Sequence, residues 1–206
     1  MGSSMMFNKY DVYTETASIY CYKDTNILYN KFGLRDYETL KQIEADITTV
    51  KLNSMITKPI KGRFTISHIC NIHKFLFEDI YKFAGHFRKE TIKKGETTFL
   101  NENEIHDKLK RLLNELKKEK FLSGYSKDDF IKRLSFYFAE LNYIHPFREG
   151  NGRTTREFIR LLCEYNGYRV NWKAVDVNTF LDAMVLSIYD TSKLEETLEK
   201  CISIKI

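Results

Sequence analysis

The stretch from Ser126 to Gly167 constrains the fold more than any other part of the chain. Phe130, Leu134, Tyr137, Phe138 and Leu141 recur at helical spacing and form an apolar face too wide for a surface helix. Ser126 followed by Asp129 supplies a capping-box-like start. Pro146 pushes the residue before it out of helical geometry, so this helix stops near His145. After a loop over Phe147 to Gly152, the residues Phe158, Ile159, Leu161, Leu162 and Tyr165 repeat the inward pattern until Gly167. Unbroken helical periodicity on both sides of this loop predicts an all-α domain in which these two helices are central.

The rest of the chain supplies those partners. Asp36 caps a helix starting near Tyr37, with Leu40, Ile43, Ile47 and Val50 on one stripe. A second helix starts near Thr65, carries Ile66, Ile69, Ile72 or His73, and Leu76, and continues toward Tyr81 before Gly85 ends it. A third runs from about Asn103 to Phe121 with Ile105, Leu109, Leu112, Leu113 and Leu116 inward. Two short helices close the chain, opened by Asn178 and by Asp190, the last with Leu194, Leu198 and Ile202 on its stripe. Between His86 and Asn101 the period changes: Phe87 to Ile92 and Thr97 to Leu100 flank Lys93-Lys94-Gly95-Glu96, the only hairpin the sequence offers.

At 206 residues the chain fits one domain. Residues 1–8 read as a tail or expression scar; 9–206 form the domain, with a tyrosine-rich arm over 9–35 lying on the surface and a helical core over 36–206. The 9 glycines and 2 prolines are too few for a loop-rich β sandwich. No apolar run approaches the ~18 residues of a membrane span. A net charge of +5, from 33 basic and 28 acidic residues, describes a mixed surface and gives no reason to expect direct nucleic-acid binding. Cys21, Cys70, Cys163 and Cys201 form no Cys-x-x-Cys pair, and no charged n-region followed by an apolar stretch opens the chain, so reduced thiols in a cytoplasmic protein are expected.

The loop His145-Pro-Phe-Arg-Glu-Gly-Asn-Gly-Arg153 carries the chemistry. Gly150 and Gly152 let the backbone approach a ligand, and the start of the following helix adds its positive dipole end, which together make an anion nest. Arg153 and Arg156, three apart on one helix face, add charged forks for a polyphosphate. Glu149 offers a hard oxygen to Mg²⁺, which needs only one or two carboxylates when it arrives on phosphates. His145, at the end of the central helix, is placed to take a proton from an attacking hydroxyl. Each residue alone also has a plain structural reading: a hydrogen-bonding histidine, a turn, two solvated arginines. Their co-occurrence within twelve residues favours the chemical one.

These residues resemble the signature of Fic domains (filamentation induced by cAMP), which typically move AMP from ATP onto a protein hydroxyl. The likeness extends to Leu76-Phe77-Glu78-Asp79-Ile80-Tyr81-Lys82-Phe83-Ala84-Gly85 and to the arm from Thr25-Asn26-Ile27-Leu28 through Asp36, similar to that of bacterial toxin-type members. It implies a helical Fic fold with a short β-hairpin flap. His145 would be the general base, and Glu149 would hold Mg²⁺ on the α and β phosphates of ATP. Gly150, Asn151, Gly152 and Arg153 would line the phosphate site, Arg156 would reach the γ-phosphate, and Phe147 would anchor the loop in the core. The hairpin, at Thr97, Thr98 and Phe99, would register the target by strand addition, although read without the family it is equally an ordinary surface turn. The related Doc toxins, which phosphorylate, carry Lys where this chain has Gly152, so the resemblance favours AMP transfer.

Many Fic proteins are inhibited by Ser/Thr-x-x-x-Glu-Gly/Asn, whose Glu pairs with the second arginine, here Arg156. The one full match, Thr98 to Asn103 with Glu102, falls in the flap region; Ser192 to Glu196 is followed by Thr197 rather than Gly or Asn. The expected inhibitor is therefore a separate small antitoxin chain binding near Arg156. The family points to type II topoisomerase subunits as targets, with host proteins as the alternative. The competing reading of the whole chain is a catalytically silent Fic scaffold or a binding module for an acidic partner.

Overall fold

A computed structural model describes residues 18–95 and 97–205. Seven α-helices follow one another among the described residues: α1 (Tyr37–Thr57), α2 (Ile66–Phe77), α3 (Ile105–Lys118), α4 (Lys127–Ile144), α5 (Asn151–Tyr165), α6 (Val177–Leu186) and α7 (Ser192–Cys201). The all-α expectation holds. The central element is α4, which packs on α3, α5 and α7, while α5 also packs on α2. Phe130, Leu134, Tyr137, Phe138, Leu141 and Ile144 of α4 are all buried, each contributing roughly 1.5–3 kcal/mol by leaving water. The Ser126 hydroxyl caps the helix by accepting from the Asp129 N–H at 3.2 Å. At the other end His145 takes a left-handed conformation, φ 45°, and Pro146 prevents continuation.

Several details depart from the sequence reading. On α1 the buried positions are Leu40, Glu44, Thr48 and Met55, while Val50 is 69% exposed. The helix is rotated from its most apolar face because a polar stripe must meet α5, as described below. Tyr165 is exposed rather than inward. Helix α2 ends at Phe77, well before Gly85, and successive turns carry the chain through Ile80 and Tyr81. Helix α3 ends at Lys118, followed by a left-handed turn over Lys120, Phe121 and Leu122. The cap of α6 is Asp176 rather than Asn178. Asp190 does start the α7 turn, its carboxylate accepting from the Ser192 N–H at 3.0 Å.

The hairpin exists but is shorter than expected: β1 (Lys93–Lys94) pairs antiparallel with β2 (Thr97–Thr98). It is not the only strand pair. Strand β3 (Tyr168–Val170) pairs antiparallel with β4 (Ile202–Ile204), which takes Ile202 out of α7. The described part of the arm is mostly exposed but anchored, since Cys21, Ile27 and Leu28 are buried and Cys21 bridges to Leu28. Residues 1–8, expected as a tail, and arm residues 9–17 lie outside the described residues. No described helix is long and apolar enough to cross a membrane, and Cys21, Cys70, Cys163 and Cys201 are separate thiols.

Candidate active site

Where α4 ends and α5 begins, the chain makes the turn from His145 to Gly150, and a small set of side chains freezes it. Asn151 braces the loop across itself: its Oδ1 accepts from the Phe147 N–H at 2.8 Å and its Nδ2 donates to the Phe147 carbonyl at 2.7 Å. Its side chain is thus spent on the loop. Phe147 is fully buried and stacks on the His73 ring at 3.8 Å and 6°. His73 Nδ1 accepts from the Gly85 N–H at 2.8 Å, so Nε2 carries the proton and donates to the Glu149 carbonyl at 2.9 Å. Burial pushes the His73 pKa down to about 3, which keeps that linkage neutral.

The His145 ring is held by the same logic. His145 Nδ1 lies 3.1 Å from the Asn142 carbonyl. A carbonyl only accepts, so Nδ1 holds the ring proton and the lone pair sits on Nε2. Burial pushes the His145 pKa down to about 3. His145 is 9% exposed, and its ring is covered by Phe99, which stacks on it at 3.8 Å and 19°. Phe99 immediately follows β2, so the hairpin reaches His145. Of the other two flap residues, Thr97 is half-buried and Thr98 exposed.

Arg88, buried at 2% exposure, ties flap and loop together. Its guanidinium donates to the carbonyls of Glu90 and Leu100 at the two feet of the flap and to those of Ile144 and His145. It thereby satisfies carbonyls that the end of α4 leaves without helical partners.

The first turn of α5 lies beyond the loop, with N–H groups that have no partner inside the helix. Gly150 precedes it at φ +77°, and a Cβ there would stand 2.1 Å from the Phe77 ring. At Gly152 a Cβ would stand 3.3 Å from Arg156 Nη1, so Arg156 folds over the start of the helix. Burial and the Arg153 charge push the Arg156 pKa down to about 9, which still leaves a cation at neutral pH. Glu149 is half-buried; its Oε1 accepts from the Gly150 N–H at 2.7 Å and from Arg153 Nη2 at 3.3 Å. No group of three or more His, Cys, Asp or Glu among the described residues could hold a metal by itself. One hard carboxylate beside an anion nest fits Mg²⁺ that arrives with phosphates.

Arg153 is placed differently from the sequence expectation. Its guanidinium pairs with Glu44 and Thr48 of α1 as well as Glu149, and it lies over the Phe77 ring. Glu44 and Thr48 carry one sequence signal, a carboxylate and a hydroxyl four apart beside the α1 stripe. His73, Tyr81 and Arg88 carry none that distinguishes them from ordinary core or loop residues.

The sequence profile of the Fic/DOC family matches residues 63–163. A probable protein adenylyltransferase Fic of Salmonella typhimurium is 30% identical over 94% of this chain and 96% of its own length. The protein adenylyltransferase VbhT of Bartonella schoenbuchensis is 34% identical over 85% of this chain, which spans 37% of that protein. Among solved structures, BepC of Bartonella tribocorum with bound AMPPNP superposes with a TM-score of 0.85 at 24% identity, over 91% of this chain and 97% of that one. The N-terminal Fic domain of an effector from Bartonella sp. AR 15-3 gives 0.83 at 27%, over 89% and 91%.

Proposed function

The chain belongs to the Fic/DOC family and is an enzyme of the adenylyltransferase kind, and on that premise we propose that it moves AMP from ATP to a hydroxyl side chain of a target protein. The observation that carries this reading is the His145 ring, its lone pair on Nε2, stacked on Phe99 of the flap at the head of the loop that leads into α5. In the proposed step the target hydroxyl gives its proton to His145 Nε2 while its oxygen bonds to the α-phosphorus. The bond from that phosphorus to the bridging oxygen breaks, and pyrophosphate leaves. The N–H groups of Asn151, Gly152 and Arg153, with Arg156, hold the phosphates. Glu149 would hold the Mg²⁺, which supplies positive charge to the phosphates when bound. The flap residues Thr97, Thr98 and Phe99 would register the target.

Incubation with ATP, Mg²⁺ and a candidate target, read by intact mass, tests the reading. Type II topoisomerase subunits are the first candidates. The parent should add AMP, and His145→Ala should lose transfer by at least ~10²–10⁴-fold while keeping nucleotide affinity, since the base contributes little to ground-state binding. An equal loss of affinity and rate would make His145 structural.

The proposed biology is a toxin of the bacterial cytoplasm controlled by a separate antitoxin chain that places a carboxylate on Arg156. Of the in-chain alternatives, Glu102 accepts from the Thr91 hydroxyl, and Glu196 is exposed on α7. Expression of the chain alone should arrest growth. A large gain of transfer in Glu102→Gly or Glu196→Gly would instead assign inhibition to the chain itself.

A further inference from the structure

Glu44 is the most unusual side chain outside the 145–153 loop. It is a carboxylate at 6% exposure, in the middle of α1, on a face that sequence periodicity would fill with aliphatic residues. One of its oxygens, Oε2, accepts from the buried Tyr81 hydroxyl. The other, Oε1, accepts from Arg153 Nη2. Thr48, one turn on, gives its own proton to the Glu44 carbonyl at 2.7 Å, so its Oγ1 lone pair faces Arg153 Nη1 at 3.0 Å. The Phe77 ring closes the opposite face, 4.8 Å from the Arg153 guanidinium carbon.

A pair that served only to fix α1 to α5 would be replaceable by apolar packing at little cost. This one does more, because Arg153 Nη2 is shared. The same nitrogen that meets Glu44 also reaches Glu149 Oε1, at the longer distance of 3.3 Å. Two carboxylates therefore compete for one guanidinium edge, and the one on α1 holds it more closely.

We infer that Glu44 is a positioning residue of the phosphate site: by drawing the Arg153 charge toward α1, it keeps Arg153 from closing on Glu149 and leaves the Glu149 carboxylate available to a divalent cation that arrives with the nucleotide. The inference rests on the reading of the loop as a metal–nucleotide site. It assigns Arg153 a role the sequence did not suggest, as a bridge whose grip on Glu149 is set from outside the loop. Removing the Glu44 charge removes the closer of the two carboxylates that face Arg153 Nη2. A charge-assisted pair is about twice as strong as a neutral one, so Arg153 then competes with the cation for Glu149.

The test is the Mg²⁺ dependence of binding of a fluorescent ATP analogue, measured without turnover, for the parent, Glu44→Gln, Glu44→Asp and Thr48→Val. Glu44→Gln should raise the Mg²⁺ midpoint about tenfold, equivalent to about 1.4 kcal/mol, without weakening metal-free binding. Glu44→Asp, which keeps the charge but is a methylene shorter, should fall between parent and Gln. Thr48→Val loosens Arg153 but leaves both carboxylates, and should not move the midpoint. If Glu44→Gln does not fold, Glu44→Asp decides: a raised midpoint supports the inference and an unchanged one overturns it. An unchanged midpoint in folded Glu44→Gln, or an equal loss of binding at every Mg²⁺ concentration, makes Glu44 purely structural and overturns it. A parent that binds no nucleotide at any Mg²⁺ concentration overturns the proposed function, and this inference with it.

Discussion

A methyl group at residue 150 has no space, and one at residue 152 has a little. Gly150 combines φ +77° with the Phe77 ring 2.1 Å from where a Cβ would stand. Gly150→Ala must therefore move an aromatic ring held between α2 and the loop, or rebuild the loop itself. Its melting temperature should drop sharply and nucleotide binding should be lost with it. At Gly152 the φ is unexceptional, and the contact is the far end of the Arg156 side chain at 3.3 Å. Gly152→Ala should keep the fold, with up to ~1 kcal/mol gained from helix propensity. Arg156 should be displaced, so nucleotide affinity falls while stability does not. The two variants separate loop architecture from ligand contact in one measurement of melting and one of binding.

At the scale of elements, the flap and the end of α4 behave as one piece. Leu100 N–H donates to the Tyr143 carbonyl at 3.2 Å, Arg88 N–H to the Pro146 carbonyl at 2.9 Å, and Phe99 lies on the His145 ring. Phe99→Ala should hydrate the His145 ring. Since burial is the main cause of its low pKa, the value should rise toward the ordinary ~6.5, as NMR titration of the imidazole would show; a pKa that stays near 3 would mean that Phe99 is not the shield. How much of this is legible in the sequence depends on the range of the interaction that fixes each element. Helices α4 and α5 and the loop between them are legible because periodicity, a Ser cap, Pro146 and two glycines are local signals. The buried face of α1 is not, because Glu44 and Thr48 are buried for the sake of Arg153, more than a hundred residues away. The β3–β4 pair escapes local patterning because each strand is three residues long and its partner is remote. Within the flap, the segment Phe87 to Ile92 has residues that suit a strand, but Arg88 pins it to the loop.

For the molecule as a whole, the buried histidines set how acid affects stability and chemistry separately. His73 and His145 are both held near pKa 3 by burial, against about 6.5 in an unfolded chain. Between those values the unfolded state takes up a proton that the folded state refuses, so stability rises with pH across the interval. Their contribution is complete above about pH 6.5 and is lost as pH falls, at about 1.4 kcal/mol per pH unit for each ring. Ordinary glutamates titrate only near ~4.3, so the window from about pH 6.5 to 4.5 reports chiefly on histidines. Urea midpoints measured across it should fall steadily for the parent, and His73→Gln, which can still accept from Gly85 and donate to Glu149, should lower the slope by about one ring's share. A slope unchanged by that substitution would show that His73 takes up its proton in the folded state as readily as in the unfolded. His145, the proposed base, stays neutral throughout the window, so the initial rate of AMP transfer by the folded fraction should not follow a pKa near 6.5. Activity lost in mild acid should instead track the unfolded population, and adding a nucleotide that stabilises the folded state should restore it.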